Sequence, residues 1–83
     1  MALAAAYLHY GDVPGPKVEI RWTGTGFERS VDEGAWQAIA GISALVVTGL
    51  DLDDEGTGTL VMVYIDDGIE YRLRSTDLGA TWA

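Results

Sequence analysis

Arg72 and Arg74 stand two residues apart in "IEYRLR" (69–74). On a strand that spacing puts both guanidinium groups on one face, where they can hold an anion or a partner's acidic group. The plainer use is surface charge, paired with Glu70 or a neighbouring strand. A second charged set lies in "DLDDEGTGT" (51–59), where Asp51, Asp53, Glu55 and Gly56 follow the alternate spacing of a calcium loop. The pattern breaks further on. Thr59 stands where some calcium loops carry an aspartate, and the final glutamate of an EF-hand loop would fall on Met62. An acidic hairpin tip that keeps a sheet edge soluble explains the same residues without a metal.

The remaining candidates are weaker. Asp66 and Asp67 are adjacent, so on a strand they face opposite ways and make a poor glycosidase pair. His9 is the lone histidine and has no serine or cysteine nucleophile set beside it. "TGTG" (23–26) and "GTGT" (56–59) lack the lysine and following helix of a phosphate loop, and read as turns. No catalytic set is visible, and neither a cofactor nor a metal is expected.

Composition narrows the classes. Eighty-three residues make one small domain, near the size at which a single core barely offsets chain entropy. With no cysteine and one histidine, disulfides and Cys- or His-rich zinc sites are excluded. The net charge of −8 repels phosphate, so nucleic acid is not an expected partner. The opening "MALAAAYLHY" lacks a basic region, and its apolar run is shorter than a signal core. No segment is long enough to span a membrane, and the expected character is soluble, with the compartment left open.

The elements that would position these groups are mostly strands. "GDVPGP" (11–16) closes an N-terminal segment, 1–16, ahead of a β region, 17–83. In "KVEIRW" (17–22) Val18, Ile20 and Trp22 point inward. "ISALVVTGLDL" (42–52) is strand-like with a bulge signal at Gly49, and "DDEGTG" (53–58) is a polar turn. "LVMVYI" (60–65) reads as a strand buried on both faces, and Asp67-Gly68 as a hairpin turn. In the returning strand Ile69, Tyr71 and Leu73 are expected to point inward. The stretch "SVDEGAWQAIAG" (30–41) has two readings. Ser30 with Glu33 matches a capping box, and Trp36, Ile39 and Ala40 share a helical face, which gives a short helix near 31–40 in an α+β domain. The alternative is a turn between strands.

"STDLGATW" (75–82) matches the pattern Ser-x-Asp-x-Gly-x-Thr-Trp at each defined position. It resembles the Asp-box repeat of bacterial sialidases and related β-propellers, over roughly residues 18–82. The resemblance implies that Ser75, Asp77, Gly79, Thr81 and Trp82 form a structural turn between the third and fourth strands of a blade. Upstream, Ser30, Asp32, Gly34 and Trp36 look like a degenerate copy, offset by about 45 residues, a spacing that suits a propeller blade. This copy is one residue short before its tryptophan and lacks the threonine. The fold expected is therefore mainly β, antiparallel, with an Asp-box-like turn and one to two propeller-type blades. A closed propeller needs at least four. Sialidase chemistry is not implied, because it requires an arginine cluster, a tyrosine nucleophile and its glutamate partner from several blades.

The function expected is a non-enzymatic structural or interaction subunit. It would work by self-assembly of identical subunits or by docking to a larger protein partner, such as a virion or tail-like particle. Two other classes stay open. One is an oligomeric carbohydrate-binding module, since Trp22, Trp36, Trp82, Tyr7, Tyr10, Tyr64 and Tyr71 can stack on sugars, although the same aromatics also read as the core of a small β domain. The other is an acidic inhibitor or mimic that blocks a basic site on another protein.

Overall fold

The computed structural model describes residues 3–7, 17–55 and 58–83. His9, Tyr10 and the 11–16 loop lie outside the described residues. The described residues form two antiparallel meanders. The first runs β1 (Leu3–Tyr7), β2 (Val18–Trp22), β3 (Phe27–Val31) and β4 (Gln37–Ala38), in that order across the sheet. The second runs β5 (Val47–Asp54), β6 (Leu60–Asp66) and β7 (Ile69–Ser75). Within each sheet every strand pairs with its neighbour in sequence.

The alternation in β2 decides which face of the first sheet is covered. Val18 and Ile20 are fully buried and Trp22 nearly so, while Glu19 and Arg21 lie on the opposite face. Phe27 sits opposite Trp22 and joins the same face. In the second sheet Val47 and Leu52 on β5 share a face with Leu60, Met62 and Tyr64 on β6. These two faces pack together into one core. An aromatic ladder crosses it: Trp22 to Phe27 at 5.0 Å, Phe27 to Tyr64 at 5.0 Å, and Tyr64 stacked on Tyr71 at 5.2 Å between ring centres. Burial holds the Tyr64 hydroxyl proton, raising its pKa, and Tyr71 adds to the effect.

The expected hairpin at Asp67-Gly68 is present. Both residues have positive φ, 51° and 80°, as a two-residue hairpin turn requires. The bulge at Gly49 is also present, as a register shift between Val47 and Gly49. The fifth strand starts later than the sequence pattern suggests, at Val47 rather than at 42, and runs on through Asp54. Asp66 is the reason for the late start. Its Oδ1 takes the Leu45 and Val46 amides, while the Val46 carbonyl still accepts from the Asp67 amide.

The short-helix reading of 31–40 is overturned. No helix occurs among the described residues. Ser30 lies within β3, buried, and its hydroxyl donates to the Gly34 carbonyl instead of capping an N-terminus. Asp32 and Glu33 adopt left-handed φ of 52° and 61°, which a helix does not allow. Gln37 then pairs with Arg29 and Ala38 with Glu28.

Burial of the last strand also departs from expectation. Ile69 and Tyr71 share the face of Tyr64 and Met62, yet are 57% and 40% exposed. The strand parity is right, but β7 is the edge strand and the first sheet does not reach over its first half. Likewise β6 is covered on both faces only at its start. Val61 is buried, Val63 half-buried, and Ile65 exposed.

Candidate functional site

The turn after β7 is the most densely bonded polar feature of the chain. Ser75 is buried, and its Oγ accepts the Gly79 amide at 2.9 Å while donating to Asp77 Oδ1 at 2.7 Å. Asp77 reaches across the turn. Oδ1 accepts the Thr81 amide at 2.9 Å, and Oδ2 accepts the Thr81 hydroxyl at 2.6 Å. These donors hold its carboxyl at a pKa of about 2, with the Thr81 hydroxyl the largest cause, then the Thr81 amide, then Ser75. Leu78 and Gly79 take left-handed φ of 60° and 86°. Trp82 folds back beneath the turn and donates from Nε1 to the Gly79 carbonyl at 2.8 Å. Ala83 then exchanges two backbone bonds with Arg74, so the chain re-enters the ladder on the free side of β7.

The turn between β3 and β4 occupies the corresponding place in the first sheet, with different wiring. Ser30 donates to Gly34 rather than accepting from it. Asp32 Oδ1 accepts the Lys17 amide instead of a turn amide. Trp36 lies under the Arg21 guanidinium at 4.1 Å instead of under its own turn. The missing residue before Trp36 and the absent threonine account for the difference, since Asp32 has no hydroxyl to hold.

One side chain joins the two sheets at these turns. Arg29, on the core face of the first sheet, donates from Nη1 to the Leu78 carbonyl at 2.8 Å and from Nη2 to Gln37. Gly79 packs there too. A Cβ at its position would stand 3.5 Å from Ile20 and 3.6 Å from Val18. Sequence reasoning missed this contact. Its signal was the repeat itself, because Arg29 precedes Ser30 as Arg74 precedes Ser75.

The other candidates separate. Arg72 and Arg74 do share a face, opposite Val63 and Val61. Arg74 is engaged by Glu55, at 2.7 Å and 3.3 Å. That pairing lowers the Glu55 pKa and raises that of Arg74. The calcium candidates do not converge. Asp51 and Asp53 each turn Oδ1 onto the next backbone amide, and Glu55 faces Arg74. Among the described residues no three acidic, histidine or cysteine side chains are placed to hold an ion. On the outer face of the first sheet the charges neutralise one another, Lys17 with Glu19 and Glu33, and Arg21 with Glu28 at 2.6 Å. The Lys17 pKa is raised, chiefly by its bond to Glu33. Among the described residues no helix is long and apolar enough to cross a membrane. No family model, curated protein or solved structure matches this chain.

Proposed function

We propose that this chain is a non-enzymatic structural or interaction subunit. It is built as two blade-like sheets of the Asp-box type, and it works by packing its sheets against identical subunits or a larger protein partner. The observation that carries the reading is the Arg29 to Leu78 contact. It ties the turn region of one sheet to that of the next, and the second sheet carries the same arginine, Arg74, ahead of its own turn. Arg74 stands on the outer face of the second sheet, the face a partner would cover. A glycan-binding module is the second reading, favoured by a groove beside the turn lined by Arg74, Thr76, Thr81 and Trp82.

Solution mass by native mass spectrometry and light scattering, at several concentrations, tests the first reading. A discrete oligomer supports assembly. A chain that stays monomeric refutes self-assembly and leaves docking on a larger partner. Turnover of a sialoside substrate, lost when Arg72 and Arg74 are removed, refutes the non-enzymatic reading. Glycan-array binding would favour the second.

A further inference from the structure

The outer face of the second sheet has an ordered chemistry. The register aligns Asp51, Val63 and Arg72 in one row across β5, β6 and β7. The next row is Asp53, Val61 and Arg74. The row on the other side is Gly49, Ile65 and Glu70, with Ile65 leaning over Gly49. The face is therefore acidic along β5 and apolar along β6, while β7 carries Arg74 and Arg72 with Glu70 at the far end. Asp51, Asp53, Glu70, Arg72 and Arg74 are exposed, as is Ile65. Asp51 and Asp53 each use one oxygen on a local amide, and among the described residues the other oxygen accepts no bond. Among the described residues Arg72 makes no hydrogen bond or ion pair, and only its field reaches Glu55.

We infer that this face binds the same face of a second copy, about a two-fold axis running along β6. The inference rests on the assembly reading above and specifies its surface. A two-fold along the strands lays β7 of one copy over β5 of the other and keeps each row at its own level. Arg72 then faces the partner copy's acidic edge at the level of Asp51, and Arg74 does so at the level of Asp53. Ile65 and the exposed part of Val63 meet their own equivalents, while Val61 is already buried within its own chain. Packed sheets lie about 10 Å apart and cross at about 30°. At one strand spacing from the axis, that angle displaces the edge rows by about 2.5 Å, which an arginine spans easily.

The alternatives are worse on charge. A two-fold across the strands through the Val63 row pairs Arg74 with Glu70 but sets Arg72 over Arg72 and Asp51 over Asp51, and leaves Asp53 over Gly49. A head-to-tail contact puts the first sheet's outer face on Val61, Val63 and Ile65. That would desolvate the Lys17–Glu19 and Arg21–Glu28 pairs against apolar groups, with no new partner gained. A three-stranded face sits at the small end of stable interfaces, so the dimer should be weak and concentration-dependent.

The test uses the full chain and two charge variants in sedimentation velocity and native mass spectrometry. Variant one is Asp51→Arg with Asp53→Arg. Variant two is Arg72→Asp with Arg74→Asp. The wild-type mass should rise from 8.9 kDa towards twice that with concentration. Each variant alone should lose this rise, and an equimolar mixture should regain it as a heterodimer. Net charge separates this from general repulsion. The first variant moves the chain from −8 to about −4 and the second to about −12, so a simple charge effect would make the first associate more strongly. Circular dichroism checks folding of each variant, and recovery in the mixture requires that both are folded. A wild-type oligomer that persists in both variants leaves self-assembly standing and overturns this face. A wild-type chain that stays monomeric up to about 1 mM, beyond the weak-interface range, overturns both. Variants that fail to associate when mixed also overturn the proposal.

Discussion

Replacing Gly79 with alanine separates two costs that usually arrive together. Gly79 has φ +86°, and a Cβ there would stand 3.3 Å from Trp82 Cζ2, 3.5 Å from Ile20 Cδ1 and 3.6 Å from Val18 Cγ1. The left-handed backbone alone costs an alanine about 1–2 kcal/mol. The ring cannot retreat freely, because its Nε1 is bonded to the Gly79 carbonyl and Ile20 and Val18 are fully buried. Overpacking of this kind adds about 1 kcal/mol at the mild end. Gly41 is the internal control. Its φ is +84°, and a Cβ there meets nothing within 4 Å. Gly41→Ala should therefore cost about 1–2 kcal/mol and Gly79→Ala about 2–3 kcal/mol. For a domain of this size the extra 1 kcal/mol is a further loss of roughly 4–8 °C in Tm. Urea unfolding followed by tryptophan fluorescence, with thermal melts by circular dichroism, reads both. Equal losses for the two variants would refute the claim that Trp82 is held too closely against Gly79 to admit a Cβ.

Three further outcomes follow from the same turn. Ser75→Ala strips the acceptor from the buried Gly79 amide and should cost about 1–3 kcal/mol in urea unfolding. Asp77 titrates at about 2, below its ordinary 3.8, so its stabilising effect is complete above about pH 4 and fades as pH falls towards 2. Glu55, also lowered, loses its contribution in the acid range too. Asp77→Asn should flatten, but not abolish, the decline in stability between those pH values, measured by melts across an acid series. Arg29→Gln removes the donor to the Leu78 carbonyl and should cost about 1–2 kcal/mol, with Arg29→Lys recovering part of it. Full stability in Arg29→Gln would show that the inter-sheet bond is incidental.

Much of the local structure was legible in the residues. Alternation in "KVEIRW" named the buried face of β2, because side chains on a strand must alternate and Val, Ile and Trp lose most by exposure. Asp67-Gly68 named its hairpin, because few residue pairs accept two positive φ values. Asp77, Thr81 and Ser75 are close in sequence, so the residue types alone imply that they can bond to one another.

What the sequence could not decide depends on groups distant along the chain. Whether 30–41 coils or turns was settled by β2, whose Glu19 pairs with Ser30 and holds it in a strand. Ile69 and Tyr71 have inward parity but stay exposed, because burial depends on how far the opposing sheet extends, and no local pattern encodes that. Glu55 sat among calcium-like acids until the hairpin brought Arg74 to it, across 19 residues. Arg29 meets the second turn across 49 residues, a pairing that exists only once the two sheets are stacked. The order of acid, apolar and base across the outer face is of the same kind. Each strand carries one column, and only the register of three strands brings the columns into rows.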